Sequence, residues 1–183
     1  VEELAADSRV AGLLAASAIG PLLVAQLRTA TTSAMRLRLA TALGLVLRSA
    51  PALPAPLARG DLTAVLAEAI HDGERTRNSR LRRNATAALG EALFYISVQQ
   101  QSAWRRHHHG GGAIDGAFEW LEPWSPIPIS LAALHDALAS DTDLTLVHYA
   151  AKGCENILAT TPRLDYADGV SAALADTRTL ALL

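Results

Sequence analysis

Three segments of the chain repeat one helical pattern that ends in glycine. Residues 36–44, 82–90 and 145–153 each carry small and apolar side chains at helical spacing before that glycine. A glycine in a helix interior costs about 1 kcal/mol relative to alanine, and close approach of a neighbouring helix can offset this cost. The pattern therefore predicts that each of the three glycines lies where another helix packs closely.

The spacing of the three blocks predicts a stacked helical array. The second block begins 46 residues after the first, and the third begins 63 residues after the second, with a His/Gly/Pro-rich stretch in the longer interval. A unit in the forties that carries a short helix and then a long one has the armadillo/HEAT period, and such units leave a concave groove when they stack. We therefore expect an all-α, armadillo/HEAT-like α-solenoid of about four helical repeats.

The composition favours helices over every sheet-based architecture. Ala and Leu supply 37 and 30 of the 183 residues, whereas aromatic residues make up only 4%. Ala and Leu are strong helix formers, and the scarcity of aromatic and β-branched residues disfavours strands. The formal net charge of −2 gives no general attraction to nucleic acid or to a membrane surface. A single cysteine excludes an internal disulfide and is typical of a reducing, intracellular compartment.

We expect residues 1–183 to form one repeat segment with an irregular insert at 105–128. The insert contains three histidines followed by three glycines, and then several prolines, a composition poorly suited to a packed helix. The chain begins at Val1 and ends in an apolar run, so we expect it to be a piece of a longer array. The uncharged stretch at 10–27 is divided by a Gly-Pro pair, which favours two helices over a membrane span.

Side-chain oxygens that precede apolar periodic stretches predict two helix starts after the insert. Ser130 is expected to cap the first of these helices, and Asp141 or Asp143 the second. Such residues accept a hydrogen bond from a backbone N–H that the first helical turn leaves without a partner.

Two segments resemble a known protein family. Residues 81–99, LRRNATAALGEALFYISVQ, resemble the LRRRA-x-x-x-LGELLFYI-x-x-Q helix in the repeat region of Runkel/Fused-type proteins, the divergent Unc-51-like kinases that include the fourth animal member. Residues 143–157, DLTLVHYAAKGCENI, resemble that family's HYA-x-K-x-x-ENI helix, and a Trp-then-Pro stretch between the two also fits. Asn84, Ala92 and the Gly-Cys pair at 153–154 depart from the family pattern.

The resemblance implies a large protein with an N-terminal kinase-like domain, often degenerate, and a long C-terminal armadillo/HEAT array. It also implies association with microtubule arrays, including cilia and flagella in many eukaryotes and the division apparatus in plants. The expected location is therefore the cytoplasm and cytoskeleton, with a microtubule-associated or kinesin-like protein as partner. The chain has no glycine-rich phosphate loop, no His-Arg-Asp loop and no Asp-Phe-Gly, so we expect neither kinase activity nor a cofactor in it.

Two arginines and a glutamate on the first resembling helix are candidate binding residues. Arg82 and Arg83 stand at a helix start, where positive charge opposes the helix macrodipole unless an anion lies near. An acidic protein partner would supply that anion, and ion pairs to neighbouring repeats are the alternative. No aromatic residues alternate with the arginines, which argues against nucleic acid as the partner. Glu91 shares a face with Arg83 and could reach Lys152.

Four polar residues on the second resembling helix complete the candidate site. His148, Lys152, Glu155 and Asn156 share one helical face, and Lys152 and Glu155 are spaced to pair along the helix. An asparagine in a groove can bind the backbone of an extended peptide through both its donor and its acceptor. The alternative is a polar network that locks adjacent repeats together.

These observations predict a non-catalytic scaffold segment that mediates protein–protein interaction. One alternative is a structural spacer between domains that has no groove ligand and packs on neighbouring repeats of the same chain. Another is an enzyme that uses Cys154 or the histidines, but Cys154 lies on an apolar stripe, where thiols are usually inert. Three adjacent histidines at 107–109 cannot easily converge on one metal ion from a single turn, so no metal site is expected.

Overall fold

The computed structural model describes residues 10, 13–14, 17–50, 52–53, 57, 61–108, 128–140 and 142–160. Within these ranges the chain forms six α-helices and no β-strand, which confirms the expected all-α class for this part of the chain. None of these helices combines the length and the apolar character that crossing a bilayer requires. The helices are α1 (Ile19–Thr29), α2 (Ser33–Ser49), α3 (Leu62–Arg75), α4 (Ser79–His108), α5 (Pro128–Leu138) and α6 (Leu144–Thr160).

Polar caps mark the starts of two long helices. The Thr32 hydroxyl accepts a hydrogen bond from the Met35 N–H at 3.2 Å where α2 begins. The Asn78 side-chain oxygen accepts one from the Leu81 N–H at 3.1 Å where α4 begins. Each cap satisfies a donor that the first helical turn leaves without an intrahelical partner.

Helix α4 extends into the region predicted as an irregular insert. It continues to His108, so the expected insert at 105–128 starts inside a helix, and residue 128 already belongs to α5. Residues 109–127 lie outside the described part of the chain. A helix can extend over polar residues because each added residue contributes one more backbone hydrogen bond once the nucleus exists.

The expected cap of α5 is wrong. Ser130 lies within the first turn of the helix, and its buried hydroxyl donates to the Thr63 carbonyl of α3 at 3.4 Å. Pro128 opens the helix instead, because its fixed φ suits the first turn and its missing N–H costs nothing there.

The helices pack as three consecutive pairs. Helix α1 packs on α2, α3 on α4, and α5 on α6. The first members contact one another in the order α1, α3, α5, and the second members in the order α2, α4, α6. Helix α4 is the central element, because α2, α3 and α6 all pack extensively against it.

Leucine and alanine build the core between these pairs. Leu43, Leu66 and Leu89 are fully buried, as are small residues such as Ala40 and Ala88. Burial of a leucine side chain stabilises the fold by about 1.5–3 kcal/mol, whereas alanine lets two helix backbones approach each other. The Ala/Leu-rich composition therefore matches a core made by close helix packing.

Contacts between α2 and α4 join residues that lie about one repeat apart in the sequence. The Asn84 amide donates to the Thr41 hydroxyl at 2.7 Å, across 43 residues. The Tyr95 hydroxyl donates to the carbonyl of Ala50, the carboxyl-terminal cap of α2, across 45 residues. Because this separation changes little along the contact, α2 and α4 run parallel.

Candidate functional site

A groove of about 420 Å³ crosses α2, α4 and α6. All three block-ending glycines, Gly44, Gly90 and Gly153, line it. Helix α4 packs against both other helices, so it forms the middle of the groove and they form its walls. The volume lies within the range of about 300–1,000 Å³ that is common for ligand-binding clefts.

The glycines lie where these helices approach one another closely. A Cβ atom on Gly90 would lie 3.3 Å from the Cα of Gly153, and one on Gly44 would lie 3.3 Å from the Cβ of Ala88. A Cβ atom on Gly153 would lie 3.4 Å from both the Gly90 Cα and the Leu134 side chain. The predicted close packing is confirmed at all three positions.

Four of the predicted binding residues line the groove: Glu91, His148, Lys152 and Asn156. The predicted pairing along α6 is confirmed, because Lys152 Nζ lies 2.9 Å from Glu155 Oε2. Glu155 itself is exposed and stands outside the lining. The expected approach of Glu91 to Lys152 does not produce an ion pair in the described structure, since Lys152 pairs along its own helix instead.

The two candidate arginines bind other parts of the chain and do not line the groove. Arg83 Nε donates to both carboxylate oxygens of Asp143 at 2.9 Å, across 60 residues. Arg82 lies 3.3 Å from the Glu74 carboxylate and donates to the Asp136 carbonyl at 3.2 Å. The Asp143 and Glu74 carboxylates supply the anions that the helix start requires, so both arginines have their charge compensated within the described part of the chain.

Asp143 links the start of α6 to α4. Its carboxylate also accepts a hydrogen bond from the Leu146 N–H at 3.0 Å, so Asp143 caps α6, while the other candidate, Asp141, lies outside the described residues. Burial alone would raise the pKa of Asp143, but hydrogen bonds from Arg83 and Leu146 and the charges of Arg83 and Arg82 outweigh it. The pKa therefore lies below its usual value of 3.8, and the carboxylate stays charged at neutral pH.

Sequence reasoning missed the α2 wall of the groove. Thr41, Leu45 and Arg48 line it, although no resemblance covers this helix. One signal was available, because superposing the first two blocks aligns Thr41 with Ala87, and both residues line the groove. Arg48 stands one helical turn after Gly44 and is exposed.

A half-buried tyrosine fixes α4 against the end of α2. The Tyr95 hydroxyl donates to the Ala50 carbonyl at 2.6 Å. Burial raises the pKa of the Tyr95 phenol, and the nearby Glu91 carboxylate raises it further. The hydroxyl therefore remains a protonated donor at neutral pH, and it satisfies a carbonyl at the carboxyl-terminal end of α2.

Cys154, the residue considered for catalysis, is buried in the core. It is 1% exposed, and burial raises the pKa of its thiol from the ordinary value of 9.0 to about 11. A thiol needs a lowered pKa and solvent access to act as a nucleophile, and Cys154 has neither. His107 and His108 belong to the last turn of α4, and His109 lies outside the described residues.

Comparison with known proteins relates the chain to one plant kinase over a small part of that protein. The chain is 33% identical over 101 residues to the Arabidopsis thaliana protein named Serine/threonine-protein kinase RUNKEL. The aligned stretch covers 55% of this chain but only 7% of that protein. No protein-family model matches the chain, and no solved structure matches it significantly.

Proposed function

We propose that this chain is a segment of an armadillo/HEAT-like α-solenoid whose groove binds an extended segment of another protein. The observation that carries the proposal is the common groove of α2, α4 and α6, which the final glycine of every sequence block lines. Contacts of α4 with α2 and with its carboxyl-terminal cap, across 43 and 45 residues, agree with the repeat interval. Stacked repeats characteristically present such a surface to a partner.

The parent protein, in this proposal, is a larger kinase-like protein associated with microtubules. The similarity to RUNKEL supports the kinase relationship. The two resembling segments support the placement of this chain in the repeat array, with roles in the cytoskeleton and in cilia or flagella. Cys154 is buried with a raised thiol pKa, which favours a binding role over a catalytic one.

A substitution that fills the groove tests the binding role. Ala87 is half-buried in the lining, so Ala87→Trp should occupy the groove with an indole ring while sparing the buried core. Ala132→Trp is the matched control, because Ala132 is exposed on α5 and does not line the groove. We expect the Ala87 variant to lose the microtubule-associated proteins that the immobilised chain captures from dividing or ciliated cells, as quantified by mass spectrometry.

Thermal melts of both variants separate loss of binding from loss of folding. Both midpoints should remain near that of the unsubstituted chain. Asn156→Ala provides a second variant with minimal change in volume, and it should weaken the same capture with little dependence on salt, since the amide acts through hydrogen bonds. Normal capture by both groove variants would leave the structural spacer as the better account.

A further inference from the structure

The groove carries one positive and one negative side chain that are not neutralised by their neighbours. Arg48 on the α2 wall is exposed and forms no ion pair with any described residue. Glu91 in the middle of the groove forms no ion pair within the described ranges either. Lys152 on the α6 wall differs, because Glu155 already compensates its charge at 2.9 Å.

This charge arrangement restricts what the groove can accommodate. A ligand that covers Arg48 and Glu91 without pairing them would remove two charges from water uncompensated, which is unfavourable. A uniformly acidic segment would be repelled by Glu91, and a uniformly basic one by Arg48. About one turn before these two residues, the lining consists of small residues such as Gly44 and Ala88, over which a polypeptide backbone can pass closely.

We propose that the groove selects an extended polypeptide segment that carries an acidic side chain for Arg48 and a basic side chain for Glu91. This inference rests on the proposed function and names the chemistry of the partner. The two groups stand on neighbouring helices, whose axes in packed pairs are about 8–10 Å apart. An extended chain advances about 3.3 Å per residue, so the acidic and basic positions are about three residues apart.

Selection of peptides from a random display library on the immobilised 183-residue chain tests this proposal. The unsubstituted chain should enrich peptides with an acidic and a basic residue about three positions apart. Arg48→Glu should enrich peptides whose acidic position has become basic. Arg38→Glu is the matched control, because Arg38 is also exposed on α2 but lies outside the groove lining, and it should enrich the original sequences.

Affinities of one selected peptide and its charge-swapped version sharpen the test. Arg48→Glu should weaken the original peptide at least about fivefold, and a lysine at the acidic position should restore binding. The selected peptides could fail to bind Ala87→Trp while Arg48→Glu selects the same charges as the unsubstituted chain. That result would overturn this inference and leave the proposed function standing. If every enriched peptide still binds Ala87→Trp, or if no peptide is enriched, both this inference and the proposed function are overturned. Dimerisation that Arg48→Glu abolishes would also overturn it, since a second copy would then fill the groove.

Discussion

At the scale of single residues, glycine determines how closely α4 and α6 pack. Glycine is unfavourable in a helix interior, but a Cβ atom placed on Gly90 would lie 3.3 Å from the Cα of Gly153. The close packing of α4 against α6 offsets the cost of this glycine. A flexible side chain could move aside, but the Gly153 backbone belongs to a packed helix and cannot. We therefore expect Gly90→Leu to lower the free energy of unfolding by about 1–3 kcal/mol through overpacking.

Thermal or urea unfolding of the 183-residue chain measures this effect. Ala87→Leu is the control, because it places the same isobutyl side chain one turn earlier on the same helix, at a half-buried position that faces the groove. The control should stay within about 0.5 kcal/mol of the unsubstituted chain. An unchanged or raised midpoint for Gly90→Leu would show that the contact with α6 does not constrain this position.

The buried thiol gives a second residue-scale prediction. With a pKa of about 11 in place of 9.0, Cys154 should react with iodoacetamide at about pH 8 at least a hundredfold more slowly when folded than when unfolded. Denaturant supplies the control on the same molecule, because the chain has no other cysteine. The folded pKa of Cys154 lies above its unfolded value near 9.0. Its contribution to the free energy of unfolding is therefore complete below about pH 9.0 and is lost as the pH rises towards 11. Rapid labelling of the native chain would contradict its burial.

At the scale of helices, Asp143 joins two elements through separate interactions that substitutions can distinguish. Asp143→Ala removes both the cap of α6 and the ion pair to Arg83, whereas Asp143→Asn keeps an acceptor for the Leu146 N–H. Loss of such a cap costs about 0.5–2 kcal/mol, and Arg83 is 38% exposed, so its pair contributes less. We expect Asp143→Ala to be the least stable variant, with Asp143→Asn and Arg83→Ala milder.

The pH dependence of unfolding provides an independent check on Asp143. Because its folded pKa lies below the unfolded value near 3.8, its contribution is present above that pH and is lost as the pH falls through the folded pKa. Asp143→Asn should therefore lose less stability than the unsubstituted chain over that acidic interval. Identical acid profiles for the two proteins would show that the carboxylate contributes nothing through its charge.

These helices also show what local sequence can and cannot predict. The glycine at each block end was predictable, because its cost within a helix calls for a neighbour at that position. The partners of Arg82 and Arg83 were not, because the anion for Arg83 lies 60 residues away and an external ligand would leave the same sequence pattern. The start of α5 was misjudged because Ser130 and Pro128 both carry start signals, and only the packing of Ser130 on Thr63 separates them.

At the scale of the whole molecule, the order of helix contacts predicts a gradient of local stability. Among the described helices, α4 is packed extensively by α2, α3 and α6, whereas α1 packs appreciably on a single pair beyond its own. In stacked assemblies stability is roughly a sum of unit and interface terms, so opening begins where an element has fewest neighbours. Hydrogen exchange followed by mass spectrometry should therefore show the slowest amides in the buried part of α4, around Leu89 and Leu93, and faster ones in α1.

The same experiment on Gly90→Leu distinguishes graded interfaces from one indivisible unit. The substitution disturbs the contact of α4 with α6, whereas the contact of α4 with α2 is held separately by the Asn84–Thr41 and Tyr95–Ala50 hydrogen bonds. Exchange should therefore accelerate more in α6 than in α2. Equal acceleration in both helices would mean that the described part of the chain opens all at once, and that the sequence repeat does not divide it into separately stable units.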